Sequence, residues 1–104
     1  PFDEVKGLAL VAYSRVQYRV PRGFDRFRAE AALDPRVKKV GGVVLRILVD
    51  DREIYSKAIE GEQSSDAIDL RLPPQARMLT VEVDFGSRKD LGANLQLRGA
   101  RFTK

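Results

Sequence analysis

An apolar residue at every second position is the feature that most constrains the fold of this chain. This period runs through three segments, "SRVQYRV" (14–20), "RFRAEAAL" (26–33) and "LTVEVDF" (79–85). Successive side chains of a strand point to opposite faces, so the period predicts strands with one buried face. No window of the sequence repeats its apolar residues at the helical period of about 3.6. The chain is therefore predicted to be all-β.

Less regular segments complete the set of predicted strands. The run "VVLRILVD" (43–50) is almost continuously apolar, which is typical of a central strand covered on both faces. Weaker patterns predict further strands at 53–60, 67–72, 95–103 and, over a short stretch, 8–12. About eight short strands in a chain of this length predict one domain, residues 1–104, with the fold of a jelly-roll β-sandwich.

Turn-forming residues separate these segments. Pro21-Arg22-Gly23 follows the first clear strand, and Asp50-Asp51-Arg52 has the composition of a tight hairpin turn. Asp50 and Asp51, with Glu53, also form the densest acidic cluster, where a structural calcium ion is considered. Calcium needs about six to eight oxygen ligands, and turn chemistry explains the cluster without an ion. We therefore expect no metal and no cofactor.

The residue types that are absent exclude several classes of chemistry. The chain has no Cys and no His, which excludes disulfides, thiol chemistry and His-based catalysis. Zinc, copper and haem sites depend mainly on the same two residues. Glycoside hydrolysis needs two carboxylates that flank the substrate, and Glu82 with Asp84 is an available pair. Such pairs occur on every polar strand face, so we expect a protein that is not an enzyme.

The lengths of the apolar runs and the first residue of the chain are the sequence features relevant to localisation. No apolar run approaches the ~20 residues that a membrane helix needs, so membrane insertion is not expected. The chain begins with Pro1 rather than methionine, as expected of a mature form or an excised domain.

Positive charge is concentrated in one part of the chain. The formal net charge is +4, and residues 15–39 hold eight basic residues against three acidic ones. If the strands at 13–20 and 25–33 pair across Pro21, they share one solvent-facing surface. Its anion-binding candidates are Arg15, Arg19, Arg26 and Arg28.

Such a surface predicts an anionic partner, either a sulfated or uronic glycan or an acidic neighbouring domain. Nucleic acid is not expected, because aromatic residues do not interleave with the basic ones. The alternative is a solvated face with no partner.

The order of these segments resembles the NPCBM family of carbohydrate-binding modules. The resemblance is carried, from Gly7 to Phe102, by "GLAL", "SRVQYRV", "GFDRFRAEAALDP", "GGVVLRILVDDREIYSKAI", "LTVEVDFG" and "DLGANLQLRGARF". It implies a galactose-binding-domain-like jelly roll that acts as a non-catalytic module of a larger extracytoplasmic bacterial protein, periplasmic, secreted or at the cell surface. The partners that it implies are a carbohydrate, of galactose type or acidic, and neighbouring domains of the same protein.

Two segments differ from the family pattern. Val11-Ala12 stands where the family has His-Ser, and Ala93-Asn94 stands where it has a late Asp-His or Asp-x-x-Trp element. The sugar site is expected near these segments, with Tyr13 stacking on the sugar. A polar rim around the sugar is expected from Asp90, Asn94 and Gln96. The alternatives are a rim or packing role for Tyr13, turn chemistry for Asp90 and Asn94, and a solvent-facing strand position for Gln96.

The other tyrosines are expected to be structural, with Tyr18 in the core and Tyr55 shielding a sheet edge. The differences from the family pattern leave a second function open, that of a structural or protein-interaction module whose sugar site has decayed. Binding of anionic glycans through the arginine-rich strand face is a third.

Overall fold

The computed structural model describes residues 2–4, 8–11, 13–33, 42–60, 65–85 and 94–104. These residues form nine strands and no helix: β1 (Phe2–Glu4), β2 (Leu8–Val11), β3 (Ser14–Arg19), β4 (Arg26–Leu33), β5 (Gly42–Val49), β6 (Arg52–Glu60), β7 (Ser65–Arg71), β8 (Met78–Phe85) and β9 (Asn94–Thr103). The predicted all-β class is confirmed, and each predicted strand is present. β1 was not predicted, because its three residues are too few to display a period.

The strands form two antiparallel sheets. One has the order β1-β9-β4-β7, with β2 also pairing with β9, and the other has the order β3-β8-β5-β6. β1 and β2 lie side by side along one edge of β9, since Phe2 pairs with Thr103 and Leu10 pairs with Leu95. The predicted β-sandwich is therefore confirmed, with a five-stranded and a four-stranded sheet.

The strands β3 and β4 do not pair with each other. β3 pairs with β8, whereas β4 lies between β7 and β9 in the other sheet. The connection from Val20 to Asp25 is longer than the two-residue loop of a tight hairpin and crosses between the sheets. Alternation shows which face of a strand is buried but does not specify its partner, and the predicted pairing across Pro21 is wrong.

The core lies between the inner faces of the two sheets. Phe27 of β4 and Phe102 of β9 pack together with their ring centroids 5.5 Å apart and their planes tilted by 59°. The four-stranded sheet contributes fully buried side chains such as Leu45 and Val81. Burial of each large apolar side chain contributes about 1.5–3 kcal/mol. Tyr18 is half-buried and packs against this core, in agreement with the prediction.

The strand β5 is central, as predicted, but its two faces differ. It lies between β8 and β6. Leu45 and Ile47 on the inner face are fully buried, whereas Arg46 and Leu48 on the outer face are half-buried. The prediction that both faces are covered is wrong, because no further layer is packed on this sheet among the described residues. Arg46 is the charged residue on the outer face of β5.

The turn between β5 and β6 is the predicted tight hairpin. Val49 pairs with Arg52, and the residues between them have positive φ angles, 49° at Asp50 and 68° at Asp51. This is the conformation of a type I′ turn, in which aspartate is one of the favoured residues. The Asp50 carboxylate also accepts hydrogen bonds from the backbone N–H groups of Arg77, at 3.2 and 3.3 Å, and Met78, at 3.0 Å.

The sandwich has two ends, which are named here from β3. Tyr13 directly precedes β3, and Arg19 is its last residue. A strand rises about 3.3 Å per residue, so these two positions lie ~20 Å apart. The antiparallel partner β8 begins at Met78, opposite Arg19. We call the two ends the Tyr13 end and the Arg19 end.

Candidate functional site

Tyr13 is an exposed aromatic residue at the edge of the four-stranded sheet. Its relative exposure is 51%, and its hydroxyl donates a hydrogen bond of 2.9 Å to Oε2 of Glu82 on β8. This hydrogen bond raises the pKa of the Tyr13 hydroxyl, which therefore remains a neutral donor at physiological pH. The ring is thus held at one point while its surface stays open to solvent.

Glu82 belongs to a polar cluster on the outer face of this sheet. Arg46 of β5 is the register partner of Glu82, and its Nη1 lies 3.0 Å from Oε1 of Glu82 and 3.2 Å from Oδ2 of Asp84. Arg46 Nε lies 3.5 Å from Oε1 of Glu53 on β6. We call Tyr13, Arg46, Glu53, Glu82 and Asp84 the Arg46 cluster.

The acidic neighbours of Arg46 favour the charged form of its guanidinium group. Hydrogen bonds to Asp84 and Glu82 raise the pKa of Arg46, so the guanidinium stays charged between them. The cluster therefore combines the open aromatic ring of Tyr13 with three acidic acceptors and the N–H donors of one guanidinium group. This combination can bind sugar hydroxyls, because ionised partners make the stronger hydrogen bonds.

Arg46 was not predicted as a functional residue. The sequence signal was present, because Arg46 is the charged residue within the otherwise apolar stretch 43–49. A charged side chain on a half-buried face needs partners. Its partners appear in the sequence only as separate features, Glu82 with Asp84 as a carboxylate pair and Glu53 in the acidic cluster of the turn.

Gln96, the one predicted rim residue whose side chain the structure describes, does not lie beside Tyr13. Gln96 alternates with the buried Leu95 and Leu97 and lies on the outer face of the five-stranded sheet. Its Oε1 accepts a hydrogen bond of 2.9 Å from Nη2 of Arg98. Because Tyr13 bonds to the outer face of the other sheet, Gln96 and Tyr13 lie on opposite sides of the sandwich. The structure therefore does not bring Gln96 and Tyr13 together at one site, and Gln96 takes an outward-facing, half-buried strand position.

The other two rim candidates belong to or follow the connection between β8 and β9. Asn94 begins β9 and pairs with Val11 of β2, so the two segments that differ from the family pattern meet at this position. The side chain of Asn94 and the whole of Asp90 lie outside the described residues. Their roles in sugar binding stay predictions.

The four predicted anion-binding arginines do not share a face. Arg15 and Arg19 are on the four-stranded sheet, and Arg26 and Arg28 are on the five-stranded sheet. Arg26 Nη1 and Arg28 Nε lie 3.2 and 3.5 Å from the same oxygen of Asp69. Arg15 lies 3.7 Å from Asp51. The single arginine face is therefore wrong, because its strands belong to different sheets.

A different set of arginines meets on the outer face of the five-stranded sheet. The register places Arg28 opposite Arg101, Arg26 opposite Arg71 and Glu30 opposite Arg98. By register, the described basic residues of this face are Arg26, Arg28, Arg71, Arg98 and Arg101, and the described acidic positions are Glu4, Glu30 and Asp69. Arg101 donates to the carbonyl oxygen of Gly99 at 2.7 Å. The sequence did not predict this set, since it depends on the partner of β4.

Tyr55 lies on the edge strand β6, as predicted. Its hydroxyl donates a hydrogen bond to the carboxylate of Asp66, on the edge strand β7 of the other sheet. Lys57 Nζ lies 2.8 Å from the second oxygen of Asp66. Burial, followed by this hydrogen bond, raises the pKa of Tyr55. These three residues join the two sheets along one open side.

Within the described ranges, no group of three or more acidic side chains is placed to hold a metal ion. The described residues also include no helix of the length and apolarity needed to cross a membrane.

The comparisons with known proteins agree with the fold. The profile of the NPCBM/NEW2 domain family matches residues 5–103, which is nearly the whole chain. The resemblance found in the sequence is therefore confirmed. No curated protein matches the chain.

Solved structures of CBM51 modules are similar to this chain. The CBM51 of a Clostridium perfringens GH95 protein, solved in complex with methyl-galactose, has a TM-score of 0.82 and 16% identity over 94% of this chain and 70% of that one. The tandem CBM51 modules of Sp3GH98, a family 98 glycoside hydrolase of Streptococcus pneumoniae, give 0.75 and 22% over 93% and 31%.

A third similar structure contains an enzyme domain as well. The M60 catalytic domain of Clostridium perfringens ZmpB with its CBM51-1 and CBM51-2 domains gives a TM-score of 0.81 and 18% identity. The match covers 95% of this chain and 11% of that one. At these identities the likeness establishes the fold, a galactose-binding-like β-sandwich.

Proposed function

The chain belongs to the NPCBM/NEW2 domain family, and on that premise we propose that it is a non-catalytic carbohydrate-binding module. We further propose that it is part of a larger extracytoplasmic bacterial protein. Similar CBM51 structures from Clostridium perfringens and Streptococcus pneumoniae support both statements. One of them was solved in complex with methyl-galactose, and two are parts of chains more than three times as long as the match.

The observation that carries the proposal is the open ring of Tyr13 beside the Arg46 cluster. A pyranose presents one apolar face and a rim of hydroxyls. An aromatic ring packs on the face, and charged side chains bind the hydroxyls. Tyr13 supplies the ring at 51% exposure, and Glu82 and Arg46 supply an acceptor and a donor beside it.

The same geometry supports binding rather than hydrolysis. A glycosidase needs one protonated carboxyl group as acid and a second carboxylate as nucleophile or base. Glu82 and Asp84 both contact the Nη1 atom of Arg46, so one cation already bridges the two carboxylates that would have to flank a substrate.

The test is calorimetric titration with methyl-galactose and N-acetylglucosamine, followed by point variants. We expect Tyr13→Ala to abolish binding and Tyr13→Phe to weaken it by about tenfold or less, because the ring remains while one hydrogen bond is lost. Gln96→Ala, on the opposite outer face, is the control and should bind normally. Loss of binding in Gln96→Ala with full binding in Tyr13→Ala would contradict the proposed site.

A second candidate function is that of a structural or protein-interaction module. It is favoured by Val11-Ala12, which replaces the family's His-Ser, and by Ala93-Asn94, which replaces its late polar element. Absence of binding to every sugar of a neutral and acidic glycan panel, in a folded protein, would support this function instead.

A further inference from the structure

A pocket of about 570 Å³ opens at the Arg19 end of the sandwich, away from Tyr13. It is lined by residues 20–24 of the connection between β3 and β4 and by residues 74–77 of the connection between β7 and β8, with Arg19 and Met78 at the adjoining strand ends. The volume is within the range of small-ligand sites, about 300–1,000 Å³. The Arg46 cluster contributes no residue to it.

The polar side chains of this pocket are strongly biased towards positive charge. Arg19, Arg22 and Arg77 line it, and none of its described lining residues is acidic. Each of the three is exposed, and none forms an ion pair with a side chain in the described part of the chain. Arginines elsewhere in the molecule, such as Arg26 and Arg46, are paired with carboxylates.

Asp25 and Asp50 adjoin this pocket, and neither forms an ion pair with its arginines in the described part of the chain. Asp50 directs its carboxylate to the backbone N–H groups of Arg77 and Met78, not to a guanidinium. The guanidinium of Arg77 is therefore left available while its backbone is fixed. An anion can therefore bind these guanidinium groups without first breaking an ion pair within the described part of the protein.

Backbone hydrogen bonds hold both walls in place. Phe24 N donates to Pro21 O at 3.2 Å, and Gly23 between them has a φ of 86°, which is the geometry of a type II turn. Val20 N donates to Arg77 O at 2.8 Å and so joins one wall to the other. Because the walls are already connected, little ordering is required when a ligand binds.

An apolar surface lies among these cations. Phe24 and Pro74 line the pocket, and Phe24 is half-buried against the core. Lys104 Nζ lies 5.5 Å from the centre of the Phe24 ring, which adds a fourth cation beside the pocket. A flat ring among guanidinium groups fits a saccharide that carries an acidic group better than it fits a bare ion.

We propose that this pocket is a second binding site, which takes an acidic saccharide with a carboxylate or sulfate group. The sugar ring packs on Phe24, and the acidic group binds Arg22 and Arg77 with Arg19 beside them. The saccharide class rests on the proposed carbohydrate-binding function, whereas the preference for an anion rests on the pocket alone. The molecule then has two sites of different charge preference at opposite ends.

The test is a titration followed by NMR amide shifts, using glucuronic acid, galactose 6-sulfate, galactose and inorganic sulfate as separate probes. We expect both acidic sugars to shift the amides of Arg22, Gly23, Phe24 and Gln75, and to bind at least about tenfold more tightly than galactose does at these residues. The double variant Arg22→Ala/Arg77→Ala should lose this binding. Tyr13→Ala should keep it.

A charge-matched control separates the pocket from general attraction. The double variant Arg26→Ala/Arg101→Ala removes the same charge from the outer face of the five-stranded sheet and should bind the acidic sugars normally. An equal loss in both double variants would overturn the proposal. Inorganic sulfate binding as tightly as galactose 6-sulfate would also overturn it, because the sugar ring would then contribute nothing.

The outcome is independent of the Tyr13 site. If galactosides bind in a Tyr13-dependent way and acidic sugars shift no pocket amide, the second site is wrong and the proposed function stands. If acidic sugars bind at the pocket while no galactoside binds, the second site stands without Tyr13.

Discussion

Arg46 Nη1 lies 3.0 Å from Glu82 Oε1 and 3.2 Å from Asp84 Oδ2, so one guanidinium separates two carboxylates of the same strand face. Positions two apart on one strand face are ~7 Å apart, and without a cation between them the two carboxylates repel each other. The Arg46 side chain is 31% exposed, and its contribution is limited by solvent screening.

We therefore expect Arg46→Ala to lower the free energy of unfolding by about 1–2 kcal/mol. Arg46→Lys should lose less, because its ammonium group keeps at least one of the three carboxylate contacts. Urea denaturation at low and high salt measures the effect, which should decrease at high salt. Arg52→Ala removes an exposed arginine that has no ion pair among the described residues and is the control. Equal stability of Arg46→Ala and Arg52→Ala would contradict the bridging role.

Asp66 is expected to make the free energy of unfolding depend on pH in the acidic range. Hydrogen bonds from Lys57 and then from Tyr55 lower the pKa of Asp66 in the folded protein. Its contribution is therefore fully present above the unfolded-state pKa of about 3.9, and it is lost as the pH falls through the lower folded-state pKa. In the wild type, part of the fall in stability below about pH 4 is then due to Asp66.

The measurement is urea denaturation from neutral pH to about pH 2.5, across the range in which carboxylates titrate. We expect Asp66→Asn to be less stable at neutral pH and to show a shallower fall with acid. Asp25→Asn, at an exposed aspartate with no ion pair among the described residues, is the control. A parallel fall for wild type and Asp66→Asn would show that Asp66 does not contribute to the acid dependence.

The sequence was sufficient for features that depend on neighbouring residues. The period of two located β3, β4 and β8, and the aspartates at 50 and 51 indicated a turn that needs positive φ angles. It was not sufficient where distant segments meet. Arg46 is separated from Glu82 by 36 positions, and no local pattern connects them.

The same limit explains one error and one omission in the candidate sites. The arginine face required β3 to pair with β4, but the choice of strand partner depends on the packing of the whole sandwich. The pocket at the Arg19 end was not predicted either, since residues 20–25 and 72–77 approach each other only after both sheets are formed.

Asp50 links the hairpin turn to the wall of the proposed second site. It has a φ of 49° and accepts hydrogen bonds from the backbone of Arg77 and Met78. Asp50→Ala removes those acceptors and places alanine in a left-handed conformation, so we expect a loss of about 2–4 kcal/mol in the free energy of unfolding. Asp50→Asn keeps one acceptor and tolerates the conformation, and it should lose less.

Thermal denaturation of the two Asp50 variants, with Asp51→Gly as control, measures this difference. Asp51 is exposed and also has a positive φ, of 68°, so glycine relieves strain there and should leave the stability unchanged or raised. If Asp50→Asn were as unstable as Asp50→Ala, the carboxylate charge, rather than the turn, would be the important feature.

Gly23 is expected to set the shape of the pocket through its backbone. With a φ of 86° it occupies the third position of the turn Pro21–Phe24. A Cβ atom built at this position would meet nothing nearer than Lys104 Cε, at 3.9 Å. The cost of Gly23→Ala is therefore conformational rather than steric, and we expect it to be about 1–2 kcal/mol.

Gly23→Asn is the matched variant, because asparagine adopts positive φ more readily than alanine does. We expect the free energy of unfolding to decrease in the order wild type, Gly23→Asn, Gly23→Ala. Any binding of galactose 6-sulfate should weaken in the same order, since a relaxed turn displaces Arg22 and Phe24, whereas galactoside binding at Tyr13 should be unchanged. A Gly23→Ala protein with wild-type stability and wild-type binding would show that the turn does not depend on glycine.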